Sequence, residues 1–259
     1  MLGSSSGFGE ACSVALARSG YNIFGVHLDR KASQGHVDEI VAAIRAGGRR
    51  AEFFNANAAD DARRGEILGT IAKVCGGDPP ESRVGVLLHS LAFGTLKPFF
   101  ATPRENAISR PQLEMTLDVM ANSLVYWTQD LFFAGLLAPR ARVFAMTSAG
   151  DHVVWPAYGA VSAAKSALES YVRQLAVELA PHGVAVNALR AGVTDTPALR
   201  KIPGSEAMIE RMLAVHPAGR LTTPADVAQA LVALCQDGAG WITGNVLGVD
   251  GGEDIAGGR

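Results

Sequence analysis

Two parts of the 259-residue chain carry residues whose types and spacing suit chemistry. The first is Leu2-Gly3-Ser4-Ser5-Ser6-Gly7-Phe8-Gly9, which opens a helical pattern running through Ala11, Val14, Ala15 and Leu16 to Gly20. Glycines let a backbone turn sharply and approach a pyrophosphate, whose charge then sits at the helix N-terminus. A Gly/Ser stretch by itself is equally an ordinary turn. The dinucleotide reading is favoured by the strand pattern that follows at the expected distance and ends in His27-Leu28-Asp29-Arg30-Lys31. Residues just after that strand meet the adenosine ribose. Asp29 suits the two ribose hydroxyls of NAD, whereas Arg30 and Lys31 suit the 2′-phosphate of NADP; the bland alternative for all three is a solvated strand end. Two cations beside one carboxylate favour NADP(H) over NAD(H).

The second part is Met146-Thr147-Ser148-Ala149-Gly150, then Tyr158 and Lys165, then Asn187 through Gly192, Val193 and Thr196. Tyr158 and Lys165 are seven residues apart, which is two helical turns, so a phenol and an ammonium share one face. The ammonium favours the ionised phenol, and the start of a helix near Tyr158 also helps an anion. Such a pair suits proton donation or hydrogen bonding to an oxygen on which negative charge develops. Taken singly, Tyr158 is a packing residue and Ser148 a strand-end cap.

The elements that must hold these residues alternate along the chain. Short apolar runs bounded by breakers read as buried parallel strands at Ile23–Val26, Ala51–Phe54, Val84–Leu88, Ala141–Met146, Val184–Leu189 and Val246–Val249. Val37, Ile40, Val41 and Ile44 share one helical face that Gly47-Gly48 stops. Long helices are expected over Pro111–Leu137 and Ala157–Ala180, with Pro181 and Gly183 ending the second. Pro79-Pro80 is expected in a helix-to-strand loop. The alternation predicts an α/β fold: a doubly wound, Rossmann-type parallel sheet forming a single domain over residues 1–259. The glycine cluster should follow a complete strand in the middle of the sheet, yet only Met1 and Leu2 precede it. The first strand is therefore expected to be truncated, either because the chain is a shortened reading of a longer protein or because the strand is severely shortened.

Composition narrows the function classes. With 48% hydrophobic residues, 19% charged and a net charge of -2, the chain can bury a sizeable core. It gives no electrostatic case for nucleic acid or an anionic membrane surface. The apolar stretches are broken by polar residues, as in Ser123 to Asp130, so no bilayer span or export signal is expected. Three scattered cysteines, Cys12, Cys75 and Cys235, argue for a reducing cytoplasm rather than a disulfide scaffold. The six histidines show no metal-ligand spacing, and no Gly-x-Ser-x-Gly elbow supports a hydrolase.

Together, the glycine pattern, the segments around Ser148, Tyr158–Lys165 and Asn187–Thr196, and the Val249-Asp-Gly-Gly252 tail resemble the short-chain dehydrogenase/reductases over essentially the whole chain. The resemblance implies that Tyr158 exchanges the proton, Lys165 binds the nicotinamide ribose and Ser148 orients the substrate. It also implies a cofactor cradle of Gly3, Ser5, Ser6, Gly7, Phe8 and Gly9, with Asp29 and Arg30 near the ribose and Asn57 near the adenine. Ser90 falls in the loop beside the cofactor, Gly192 is also implied to meet the cofactor, and Val193 and Thr196 lie near the nicotinamide carboxamide. Most of the family has three residues between tyrosine and lysine. Here the position four before the lysine is Val161, which has no proton to give, and Tyr158 stands six residues away. That spacing, His89-Ser-Leu-Ala-Phe-Gly94 and Ala191-Gly192 are similar to the enoyl-acyl-carrier-protein reductase branch, and Ser148 with the glycine loop to its NADPH-using type.

Chemistry gives a reason for a displaced acid. Ketone reduction puts hydride on the carbon bonded to the oxygen that takes the proton. Reduction of an enoyl thioester puts hydride on the β-carbon while charge develops on a more distant thioester oxygen, and misplacing an acid is costly. The resemblance thus implies NAD(P)H-dependent reduction of the 2,3 double bond of an enoyl thioester, on acyl carrier protein or coenzyme A, in fatty acid biosynthesis. Residues 197–215, with Leu199, Ile202, Met208, Ile209, Met212 and Leu213, resemble a lid over the acyl chain; Phe93, Leu96 and Phe99 are expected to line the same pocket. A homotetramer or homodimer is implied. Other readings are a carbonyl or alcohol oxidoreductase, such as a 3-oxoacyl thioester reductase, and a non-catalytic dinucleotide-binding protein.

Overall fold

The computed structural model describes residues 1–75 and 83–256; the loop expected at Pro79-Pro80 lies outside the described residues. Two apolar layers sandwich a parallel sheet. Strand β1 (Ile23–His27) pairs with β2 (Ala51–Asn55), and β3 (Val84–His89), β4 (Leu137–Ser148), β5 (Ala185–Ala191) and β6 (Val246–Val249) pair in that order, all parallel. On one face, the core joins α1 (Gly7–Arg18) and α2 (Gln34–Ala46) to α8 (Pro224–Leu234) through Leu16, Ile40, Ile44 and Leu231. On the other, α3 (Asp61–Cys75), α5 (Ser123–Phe133) and α6 (Gly159–Leu179) pack through Ile67, Trp127, Leu168 and Val172. This is the doubly wound arrangement expected; Val246–Val249 is present with the expected bounds, and the other expected strands are present with one or both bounds moved by one or a few residues.

The junction between β1 and β3 is the thinnest part of the sheet. Leu2 alone bridges it, in parallel register with Val26 on one side and His89 on the other. Four backbone hydrogen bonds of 2.8 Å hold it: Leu2 N–H to Leu88 O, Gly3 N–H to Val26 O, Val26 N–H to Met1 O and Ser90 N–H to Leu2 O. The Met1 amine donates to Phe24 O at 2.8 Å, and burial pushes its pKa down to about 5. Beyond it lies a cavity of about 950 Å³ lined by Ile23, Phe24, Val84, Val86 and Trp127, among others. Between β1 and β3 the described residues contribute this one bridge.

The long helix expected over Pro111–Leu137 is interrupted. Helix α4 (Arg110–Leu117) runs into a π-turn at Asp118–Asn122, followed by α5, which stops at Phe133. The wider turn buries Val119, Met120 and Ala121 in succession, which an unbroken 3.6-residue repeat does not do. Gly135, at φ 67°, then reverses the chain, and Leu137 already belongs to β4. Strand β4 is longer than the expected Ala141–Met146 because an irregular start, with Arg140 at φ 60° and a register shift opposite Val84–Val86, precedes its regular part.

Leu2 is 1% exposed and pairs with a strand on each side of the junction. Leu2→Ala is expected to lower the unfolding free energy by about 2–5 kcal/mol. Urea denaturation checks this, and an unchanged midpoint would show that the bridge contributes little.

Candidate active site

The strand ends of β1, β3, β4 and β5 converge where α1 and α6 begin. At the glycine turn, space decides the residue type. A Cβ on Gly9 would lie 1.8 Å from Gly3 O, one on Gly3 would lie 2.2 Å from Ser90 O, and Gly3 and Gly7 have φ of 83° and 55°. Ser6 is the N-cap of α1, yet its side chain makes no capping bond, so the first N–H groups of the helix stay open to an anion. The cradle that side chains would fill, at a helix N-terminus after a strand, fits a dinucleotide pyrophosphate. Ser5 and Phe8 lie half-buried beside it.

Asp29, just past β1, is fixed from three sides. His27, 3% exposed, places Nδ1 2.9 Å from Asp29 Oδ2. Asn55 accepts from Asp29 N–H at 3.2 Å and donates to Asp29 O at 2.9 Å. Arg30 and Lys31 face outward and exposed. Asn57 is exposed, and its Oδ1 accepts from Ala59 N–H, capping its own turn. Ser90 meets the glycine turn through its backbone.

Across the cleft, β4 ends at Ser148 and Tyr158 caps α6. The Tyr158 phenol lies beside Ser148; burial pushes its pKa up, and the serine partly opposes the rise. Gly150 packs beneath the ring: a Cβ there would lie 2.5 Å from Tyr158 Cε1 and 3.2 Å from Ser148 Oγ. Lys165 is buried, donating to Met146 O at 2.7 Å and Leu91 O at 3.4 Å, and burial pulls its pKa down to about 8 against the pull of Glu169. Val161 is in the core. Asn122 accepts from the Tyr171 hydroxyl at 2.9 Å.

The turn after β5 closes the cleft. Val193 N–H donates to both oxygens of Glu253, at 3.0 and 2.9 Å, and Gly192 leaves no room for a Cβ, which would lie 2.4 Å from Thr222 Oγ1. Thr196 is buried and approaches Gly7, whose Cβ would lie 3.4 Å from Thr196 Cγ2. The structure therefore brings together the glycine turn, Gly192–Thr196, Ser148 and Tyr158. Helix α7 (Ser205–Val215) follows, with Met208, Ile209 and Met212 half-buried and Leu213 exposed. Phe99 lies against the start of α6, where a Cβ on Gly159 would be 2.6 Å from its ring; Leu96 is half-buried and Phe93 about half exposed.

Three residues escaped the reading of the sequence: His27, Glu169 and Glu253. Glu169 had a signal, since it stands one helical turn after Lys165 on the same face. The other two act through contacts across the fold that no local pattern announces.

A parallel sheet with a dinucleotide cradle at one helix start and a tyrosine–lysine helix opposite defines a nicotinamide-dependent oxidoreductase. The family model described as Enoyl-(Acyl carrier protein) reductase matches residues 3–253. The chain belongs to this family, within the short-chain dehydrogenase/reductases. It is 34% identical over 173 residues to the NADH enoyl-[acyl-carrier-protein] reductase of Aquifex aeolicus, a match covering 66% of this chain and 63% of that enzyme. The solved structure of the Aquifex aeolicus enzyme superposes with a TM-score of 0.81 at 26% identity, covering 98% of this chain and 94% of the other. A 2,5-dichloro-2,5-cyclohexadiene-1,4-diol dehydrogenase of Sphingobium indicum is 28% identical over 266 residues, covering 97% of this chain and 94% of that enzyme. The preference for NADP(H) drawn from Arg30 and Lys31 finds no support: the Aquifex aeolicus relative is named for NADH, and the structure anchors the carboxylate instead.

Gly150→Ala is expected to fold and bind dinucleotide while pushing the Tyr158 ring aside, lowering kcat about 100-fold. Steady-state kinetics beside a dinucleotide titration separates the two effects, and unchanged kcat would remove Gly150 as the support of Tyr158.

Proposed function

We propose that the protein reduces the 2,3 double bond of an enoyl thioester, on acyl carrier protein or coenzyme A, with NADH. The observation that carries this reading is the exchange of roles between two helix positions. The phenol at 158 reaches Ser148 at the cleft, while Val161, where a ketone reductase of this type would hold its acid, is buried in apolar core.

When bound, nicotinamide supplies hydride to the substrate β-carbon. Tyr158 hydrogen-bonds the thioester oxygen as enolate charge builds there and donates the proton or stabilises the charge. Ser148 adds a second hydrogen bond to that oxygen and steadies the phenol. Lys165 holds the nicotinamide ribose, and its ammonium favours the ionised form of Tyr158. Gly192, Val193 and Thr196 hold the carboxamide, with Glu253 fixing the Val193 amide. Residues 197–215 cover the acyl chain, their half-buried apolar side chains turned to that task.

The anchored Asp29 supports NADH as the preferred cofactor. Its carboxylate accepts from the two adenosine ribose hydroxyls and repels a 2′-phosphate. Replacing it with asparagine is expected to shrink the NADH-over-NADPH preference about tenfold, from loss of charged hydrogen bonds; kcat/KM with each cofactor reads the change.

The direct test follows NAD(P)H absorbance with crotonyl and acetoacetyl thioesters in parallel. Oxidation with the crotonyl substrate alone is expected. Oxidation with the acetoacetyl substrate alone would assign the protein to ketone reduction, which the diol dehydrogenase relative keeps as the second reading. Tyr158→Phe is expected to cost about 10²–10⁴-fold in turnover with dinucleotide affinity nearly intact, and wild-type activity in that variant would remove Tyr158 from the mechanism.

A further inference from the structure

Lys165 carries its ammonium into the interior, where its hydrogen-bond partners are the uncharged carbonyls of Met146 and Leu91. Burial without a counter-charge disfavours an ammonium. Within its own helix face the neighbour is Glu169, itself 7% exposed, whose Oε1 accepts the Thr147 hydroxyl at 2.7 Å. Thr147 directly follows the carbonyl that Lys165 uses, so strand β4 positions both side chains from adjacent residues.

Behind Glu169 stands a ladder of charges from three further elements. Asp151, in the turn after β4, is the neighbouring carboxylate that raises the Glu169 pKa, and its own Oδ1 meets His152 Nδ1 at 2.6 Å. From β5, Arg190 donates to Asp254 at 2.7 Å and approaches Asp151 at 3.9 Å. His152 also reaches Asp254 at 3.0 Å, connecting the ladder to solvent. On the other side of Lys165, buried His89 at the end of β3 feels the ammonium and is held neutral by burial and that charge.

We propose that Glu169 is a positioning residue for catalysis: anchored by Thr147 one helical turn beyond Lys165, its carboxylate is the counter-charge that keeps the buried ammonium protonated through turnover. The proposal rests on Lys165 being the cationic member of the site, as described above. The carboxylate makes no direct ion pair with the ammonium, which is held by carbonyl dipoles, and acts on it through space from one helical turn away, raising its pKa against burial. Burial and Asp151 raise the Glu169 pKa while Thr147 and Arg190 lower it, so the surrounding ladder sets the pH at which the counter-charge is lost. Proton uptake by Glu169 then limits activity on the acid side, and proton loss by Lys165, near pH 8, limits it on the alkaline side.

The test titrates lysine Cε signals by NMR in the full chain labelled with ¹³C-lysine, with Lys165→Arg giving the assignment. Glu169→Gln keeps an acceptor for Thr147 and removes only the charge. Its Lys165 midpoint is expected to fall by about one pH unit or more, with Glu169→Asp restoring most of the shift. The alkaline limb of kcat/KM should move down by the same amount. Asp151→Asn should move the acid limb the other way along the cause, to lower pH, because Glu169 loses the neighbour that raises its pKa. A Lys165 midpoint unchanged in Glu169→Gln, or a shifted midpoint with an unmoved alkaline limb, would overturn the proposal. If no thioester is reduced, the reaction proposed above fails, while the NMR midpoint still decides whether Glu169 holds the charge on Lys165.

Discussion

An ammonium held in a dry interior needs its surroundings to replace water, and Lys165 imposes that demand on the elements around it. The carbonyl of Met146 has to face α6, so β4 must run beside that helix in a fixed register. Pairing of Ser148 with Ala191 then places the ends of β4 and β5 level, which delivers Ser148 and the Gly192–Thr196 turn to the same cleft. Two helical turns back from Lys165, Tyr158 emerges at the start of α6 opposite Ser148. Glycine at 150 and 192 is what allows these turns to close without collisions against Tyr158 and Glu253.

Seen from this cation, the identity of position 161 becomes a chemical statement. A phenol there would sit nearly one turn closer to Lys165, suited to an oxygen on the carbon that receives hydride. Valine is buried in the core there instead; on the reading proposed above, the acid stands nearer the helix start, to meet an enolate oxygen further from the reacting carbon. Small displacements of this kind weigh heavily, because proton transfer and oxyanion stabilisation both require atoms within hydrogen-bonding distance.

Much of this architecture was legible in the residues. Buried parallel strands are continuous apolar runs, and those at Ile23, Ala51, Val84, Ala185 and Val246 stand out between glycines and polar turns. The seven-residue separation of Tyr158 and Lys165 already put both on one helical face. The π-turn at Asp118–Asn122 was not legible, because a local widening leaves an apolar pattern that still looks helical and carries no marker residue. Asp29 shows a different failure. Counting charges along the chain weighs Arg30 and Lys31 against it, whereas His27, from a buried strand face, holds the carboxylate and Asn55, from β2, holds the Asp29 backbone. Glu253 was similarly hidden, since its partner Val193 is distant in sequence, whereas Glu169 was signalled by its place one turn after Lys165.

On the reading proposed above, hydride goes to a β-carbon and the negative charge it generates develops on a remote oxygen. A conjugated enone offered with NADH deuterated at the transferable position sets the two outcomes against each other within one molecule. The account predicts deuterium on the β-carbon of the saturated ketone, read by NMR of the product. Deuterium on the carbinol carbon of an allylic alcohol would contradict it and place the protein among the ketone reductases.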